Sequence, residues 1–447
     1  MAITWRAVAL TALGAVPVLL LPVPGTVLAW VVLVAVLCAV DAGLAASPRR
    51  LALSRSVPAS VRRSEPAAST VTVTNLDRRR LRGLVRDAWP PSALPAPGPD
   101  PAPSGTPAAL GRRSVRHSVD VAPGEAARVV TPLLPTRRGD LSAGAVTVRT
   151  VGPLGLAGRQ ASLPVPGRLR VLPEFASRRH LPSRLARLRE LDGRAAVQVR
   201  GAGTEFDSLR EYVVGDDVRS IDWRASARRA DVVVRTWRPE RDRRVLVVVD
   251  TSRTSAVRVL DAPRLDASIE AALMLTALAS RAGDRVELLA WDRRVRASAA
   301  GRTGTRVLPA VADSLAGIEP ALVEADWPGL VAQVRTRLSR RSLVVLLTTV
   351  DPAAVERGVL GVAAGLTDRH VVVLASVADP EVEALRRGRS SAAEVFDAAA
   401  AERTVLERDA VAQRLRRLGV EVLDALPDEL APRLADTYLA LKAAGRL

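Results

Sequence analysis

The apolar run VLVVVD, residues 245–250, passes straight into TSRTS, which places Asp250, Ser252 and Thr254 at alternate positions just beyond a stretch of strand length. A carboxylate followed by two hydroxyls at this spacing offers a hard divalent cation such as Mg²⁺ a set of oxygens, directly or through water. The same residue types also satisfy orphan N–H groups at a strand-to-helix turn, so helix capping competes with metal binding, and spacing alone leaves both open. Phosphate chemistry is not offered: no Gly-x-x-x-x-Gly-Lys pattern follows a strand-like run, and no nucleotide is expected. A hydrolase triad lacks its parts, because there is no Gly-x-Ser-x-Gly elbow and Ser252 has no histidine near it in the chain. The three histidines, His117, His180 and His370, lie too far apart in sequence to suggest a multi-His zinc site.

A second segment, TEFDSLREYVVGDDVRSIDWRASARRADVVVRTWRPERDRR from residue 204, interleaves acids with arginines. Mutual pairing is expected to neutralise most of its field, which makes it a poor phosphate-binding surface. It reads either as a rigid ion-paired loop with Trp223 and Trp237 buried as anchors, or as a docking face, since Trp and Arg are frequent interface hot spots. The candidate partner-binding residues are Tyr212, Gly215, Asp216, Asp217, Arg219, Asp222, Trp223 and Arg228.

These residues need elements to hold them. A chain of 447 residues has room for about three domains. The net charge of +18 hints at nucleic acid, but 3% aromatics and 47 acids scattered among the basic residues argue against a one-signed stacking surface. The single cysteine, Cys38, excludes an intramolecular disulfide framework. From Ala7 to Val40 no residue is charged, and Pro22, Pro24 and Gly25 break that stretch. A transmembrane helical hairpin is expected over 4–21 and 26–43, within a segment 1–45, with Trp5 and Trp30 as interfacial rings. Arg6 before it and Arg49, Arg50, Arg55, Arg62 and Arg63 after it place both ends, and the soluble body, on the cytoplasmic side of the cell membrane. A cleaved signal peptide is the alternative.

Residues 46–173 alternate short β-type runs with Gly/Pro punctuation, the pattern of a small all-β sandwich-like domain, interrupted by a proline-rich loop at 90–107. Residues 174–240 read as an Arg-rich connector followed by the acid–arginine segment. From 241 to 447 continuous apolar runs at 245–249, 286–291, 343–347, 371–375 and 420–423 alternate with helical stretches. That pattern predicts an α/β domain with a doubly wound, mostly parallel sheet.

The words GTEFDSLREYVVGDDVRSIDWRASARR, VVVRTWRPERDRRVLVVVDTSRTS, TRRGDLSAGAVTVRTVGPLGLAGR and TYLALKAAGRL resemble the signature of a membrane-anchored family called domain of unknown function 58, over nearly the whole chain. The resemblance implies a von Willebrand factor A-like domain, whose metal-ion-dependent adhesion site begins Asp-x-Ser-x-Ser. Asp250, Ser252 and Thr254 match it with threonine in the last place. Thr305 best matches the site's distal threonine. The site's final aspartate should follow residues 343–347, yet Thr349 holds the closest register and Asp351 lies two residues on. Mg²⁺ affinity is therefore expected to be weak unless Asp351 reaches the site or a partner donates an acid. Relatives of the family occur beside MoxR-type AAA+ ATPases and membrane proteins with transglutaminase-like domains. This implies a non-enzymatic adaptor or co-chaperone in assembly or maturation of envelope or metal-dependent complexes. Two other classes compete: a metal-assisted hydrolase at Asp250, and a basic protein held against anionic lipid or nucleic acid.

Overall fold

Contact between residues divides the chain into two units, Met1–Leu172 and Pro173–Leu447. In the computed structural model the described residues are 2–21, 23–95, 116–198, 205–229, 231–238, 243–299 and 304–447. Most of the expected proline-rich loop, and Pro22 of the expected hairpin turn, lie outside them.

In the first unit the uncharged stretch forms helices Trp5–Leu13 and Ala15–Leu20, which meet at Gly14, and a longer helix Pro24–Leu44. Pro24 occupies the first turn of the long helix, where a missing N–H leaves no intrahelical bond unmade. At 21 residues this helix is long and apolar enough to cross a membrane, and only 17% of its most apolar window is buried within the protein. The helices before it are shorter. Trp30, expected as an interfacial ring, turns onto Gly14: a Cβ built there would lie 2.3 Å from its ring. Its Nε1 donates to the Leu10 carbonyl at 3.3 Å. Gly14→Leu is accordingly expected to cost roughly 1–3 kcal/mol by overpacking, measured as a lower denaturation midpoint of the full chain in detergent. Gly25→Leu is the control, because a Cβ at Gly25 meets nothing within 4 Å. Equal midpoints for the two variants would refute the helix–helix contact.

Both ends of the helical stretch are tied to one strip of the β-structure. Ala2–Ile3 pairs antiparallel with Ala157 and Gly158, and the Thr4 hydroxyl donates to the Gly155 carbonyl at 2.6 Å. At the other end Asp41, fully buried, accepts from the backbone N–H groups of Leu154 and Leu156 at 2.7 Å and of Ala157 at 2.9 Å. Guanidinium groups of Arg159 and Arg79 take the last helix carbonyls, at Ala42 and Gly43, where positive charge suits the helix dipole.

The rest of the unit is antiparallel β-structure with one parallel pairing. A five-stranded sheet runs Ala2–Ile3, Ala157–Leu163, Val146–Val151, Leu81–Asp87, Arg116–Val121, and a three-stranded one runs Leu51–Ser56, Ala67–Asn75, Ala126–Leu133. Alternate residues of both, including Val71, Val73, Val129, Leu81, Val85, Val119, Val146 and Val148, form one buried core. This is the packing that period-two patterning predicts. A second three-stranded sheet, Ser60–Arg62, Arg168–Leu172, Gly139–Ser142, contains the parallel pair.

The second unit is built on six strands: β1 Arg244–Asp250, β2 Arg285–Trp291, β3 Val295–Ala299, β4 Leu343–Leu347, β5 Val371–Val377 and β6 Glu421–Ala425, in the order β3-β2-β1-β4-β5-β6. All neighbours are parallel except β2 and β3. Val245, Val247 and Val249 of β1 pack with the helices Arg264–Arg281, Val307–Ala316 and Pro427–Ala443. Leu246 and Val248 pack on the other face with Trp327–Arg337, Leu360–Leu366 and Leu415. A strand apolar at every position is thus buried on both faces. The edge strand β3, whose sequence VRASA is half exposed, and the short helix Pro380–Leu385 are among the elements that escaped the periodicity. The expected connector is also more than that. Residues 174–240 fall within the second unit, and the helix Leu181–Gln198 contributes Leu188, 3% exposed, to the core beside Phe175. Arg187 and Arg189 face out while a leucine stripe faces in, and the largely buried Arg184 pairs with Asp436 at 2.7 Å.

Candidate functional site

The sheet reverses its winding between β1 and β4, and ligands of open α/β sheets bind beyond the carboxyl ends of the strands at such a point. Asp250 ends β1 there, 3% exposed, with Ser252 and Thr349 at 1% and Thr348 at 4%. The Ser252 N–H donates to Asp250 Oδ1 at 2.8 Å, while the hydroxyls of Thr254 and Thr348 donate to Oδ2 at 2.8 and 2.6 Å. Ser252 Oγ lies 3.1 Å from Thr254 Oγ1, and the Ser255 hydroxyl donates to the Asp250 carbonyl at 2.6 Å. Asp250, Ser252 and Thr254 therefore do converge. Thr348 joins them, a residue that sequence reasoning passed over beside Thr349. The capping assignment is realised by the carboxylate, which takes the Ser252 amide; the Ser252 side chain caps nothing in the short turn Arg253–Ala256.

The other expected ligands are elsewhere. Thr305 falls in the turn Gly304–Arg306, and its side chain lies outside the described residues. Asp351 is turned to two guanidinium groups: Arg264 Nη1 stands 3.3 Å from its Oδ2, and Arg408 Nη1 donates to its Oδ1. Arg408 also binds Asp424 at 2.9 Å and the Ser376 hydroxyl at 3.0 Å, linking the carboxyl ends of β4, β5 and β6. Arg264, 6% exposed, reaches the Thr349 hydroxyl at 3.2 Å and the Thr254 carbonyl at 3.4 Å. A clue to Arg264 was present in the sequence as a cation at the start of a helix, the end whose dipole disfavours it.

Mg²⁺ requires near-octahedral oxygens, usually with one or two carboxylates free to bind it. Here both oxygens of Asp250 already accept protein donors, and the second acid is held by two arginines. Among the described residues no group of three or more His, Cys, Asp or Glu is placed to hold a metal. The residues present do not fit a self-sufficient Mg²⁺ site. Histidine bases are absent from the cluster as well: His117 belongs to the first unit and contacts Thr131, His180 lies in a turn ahead of the helix Leu181–Gln198, and His370 precedes β5 at the opposite edge of the sheet. Burial and the neighbouring Arg369 push the His370 pKa down.

The acid–arginine segment forms an antiparallel ribbon, Glu205–Glu211 with Val233–Arg238, closed by a loop and the short helix Trp223–Arg229. Its acids shape that loop. Asp216 accepts from the Arg210 guanidinium and from the Val213 N–H at 3.0 Å, and Gly215 has φ of 113°, a left-handed conformation that suits glycine. Asp217 accepts from the Arg219 N–H at 2.9 Å. Asp222 accepts from the N–H groups of Arg224 and Ala225 at 3.1 and 3.0 Å and from Arg235 at 2.8 Å. Its carboxyl is held below the usual range, first by the Ala225 N–H and then by Arg235. Asp216 is lowered likewise, chiefly by Arg210. Trp223 is not the buried anchor of the rigid-loop reading: it is 66% exposed, with Val213, Val214 and Val218 at 62, 95 and 59%. Arg219 and Arg228 are exposed beside them and Tyr212 is half-buried. The side chain of Trp237 lies outside the described residues.

Comparison with known proteins adds a family. The uncharacterized proteins Rv1480 of Mycobacterium tuberculosis and Mb1516 of Mycobacterium bovis are each 28% identical over 185 residues, 41% of this chain. The chain spans 57% of the length of these relatives. Among solved structures, the CARDB domain of the PF1109 protein from Pyrococcus furiosus aligns over 27% of this chain and 87% of its own at 16% identity, with a TM-score of 0.18. A beta-glucosidase from Listeria innocua aligns over 27% and 16% at 14% identity and 0.17. Likeness at that level carries no argument. Residues 208–419, which hold both the exposed loop and the Asp250 cluster, match the family described as Protein of unknown function DUF58.

Proposed function

We propose that the protein is a membrane-anchored, non-enzymatic adaptor that recruits a protein partner through the loop 212–228. The observation that supports this most is the exposed Val213, Val214, Val218 and Trp223 set on a loop that Asp216, Asp217 and Asp222 hold in shape. An apolar cluster costs solubility when left bare, and a rigid one with adjacent arginines is what a partner surface buries at low entropic cost. In this reading the second unit is a von Willebrand factor A-like domain. The strand order and the position of Asp250, Ser252 and Thr254 at the switch point favour that assignment. The apolar N-terminal helices form two spans, with the arginines that flank them keeping the body cytoplasmic. By the family resemblance, the first partner to test is a MoxR-type AAA+ ATPase, with transglutaminase-like membrane proteins next. The hydrolase alternative gains no support from the cluster, which pairs Asp250 with hydroxyls and an amide and with no base.

The test is capture from solubilised membranes by the tagged full chain. The wild type is expected to retain an AAA+ ATPase, and Trp223→Ser combined with Val214→Ser to retain roughly tenfold less or lower still, the loss of a hot spot. Because both side chains are exposed, the fold is expected to be unchanged by circular dichroism. Undiminished capture by the variant, or no ATPase with either protein, would sink the proposal.

A further inference from the structure

We propose that Arg264 takes the place of the divalent cation at this switch point, so that the site is metal-independent and Asp351 serves as the counter-ion of a buried guanidinium. The sequence leads to Asp351 as the metal's second acid. In the structure it instead bridges Arg264 and Arg408, and Arg408 continues to Asp424. Two acids and two arginines alternate along the carboxyl edge of the sheet, a neutral row that offers a metal no uncompensated charge. The Arg264 guanidinium also touches the backbone of Thr254, whose hydroxyl donates to Asp250. The arginine's positive charge thus sits one residue away from the buried carboxylate. A guanidinium buried at the positive end of a helix persists only where acceptors meet it, and here Nη1 reaches Asp351, the Thr349 hydroxyl and the Thr254 carbonyl, while Nε has no hydrogen-bond partner. A doubly charged ion bound at Asp250 would face that fixed charge across Thr254 in a region of low dielectric, where like charges repel strongly.

The inference concerns the cluster alone. Partner capture does not enter its test, so its failure and that of the adaptor reading are separable. The experiment titrates Mn²⁺ into the full chain in detergent, followed by electron paramagnetic resonance, with melting curves in Mg²⁺ and in EDTA. For the wild type, binding is expected to be indistinguishable from that of Asp250→Asn, with melting midpoints that coincide in the two buffers. An ion present at a hundred times its dissociation constant would instead raise the midpoint by roughly 5–10 °C. Arg264→Met, which keeps the apolar bulk and removes the charge, is expected to bind Mn²⁺ roughly tenfold or more tightly than wild type, and Arg264→Met with Asp250→Asn to lose that gain. A saturable Mn²⁺ site in the wild type that Asp250→Asn abolishes overturns the proposal. So does a folded Arg264→Met that gains no affinity. If Arg264→Met does not fold, the comparison of wild type with Asp250→Asn decides alone.

Discussion

Asp41→Ala is expected to destabilise the first unit by about 3 kcal/mol or more, because it orphans three backbone N–H groups and removes charge-assisted bonds that exceed ordinary ones. The carboxylate is fully buried and accepts from the stretch 154–157. Asn is expected to rescue little: one of its two atoms is an NH₂ group that would face N–H donors. Gly152→Ala strikes the same joint, as a Cβ there would lie 2.2 Å from the Asp41 carbonyl and 2.3 Å from its Oδ1. The readouts are the denaturation midpoint of the full chain in detergent and amide hydrogen exchange over residues 152–159. Protection of Leu154, Leu156 and Ala157 should fall in Asp41→Ala while the sheet interior around Val148 keeps its own. Unchanged exchange in that stretch would show that the helix Pro24–Leu44 is a loose tether. The expected outcome makes it a rigid post, which fixes how the β-structure stands on that helix.

The contrast between what could and could not be read from sequence follows the range of the interactions. β1, β4 and β5 were legible because each carries a continuous apolar run, as burial on both faces requires, and β2 because only Glu287 interrupts its run. The helix Leu181–Gln198 was misjudged because its many arginines hide a leucine stripe, and a long polar face says nothing about what the narrow apolar one meets. The site divides in the same way. Asp250, Ser252 and Thr254 are neighbours in sequence, and their convergence is local geometry. Thr348, 98 residues away, reaches Asp250 only because β4 lies beside β1. The fate of Asp351 depends on Arg264 and Arg408, which are 87 and 57 positions distant. No spacing rule connects such residues; strand order does.

Asp250→Ala is expected to cost the second unit about 2–4 kcal/mol, since the Ser252 N–H and the Thr254 and Thr348 hydroxyls lose their buried acceptor. Asp250→Asn is the informative companion. Its amide keeps an oxygen for the Ser252 N–H, and its NH₂ group can donate to Thr254 or Thr348 once their hydroxyls rotate. Asn also abolishes a buried negative charge that no described guanidinium touches, which removes a desolvation penalty. The Asn variant is therefore expected to lie within about 1 kcal/mol of wild type, leaving a gap of roughly 30-fold in the folding equilibrium between the two substitutions. Urea denaturation of the full chain, followed in the transition of the second unit, measures both. If Asn proves as damaging as Ala, the negative charge itself is required. A cation must then sit against Asp250, and Arg264 cannot be what replaces it. If only Ala is damaging, the carboxylate acts as a hydrogen-bond acceptor that pins β1 to β4, and the chain keeps the outline of an ion site while using it to join strands.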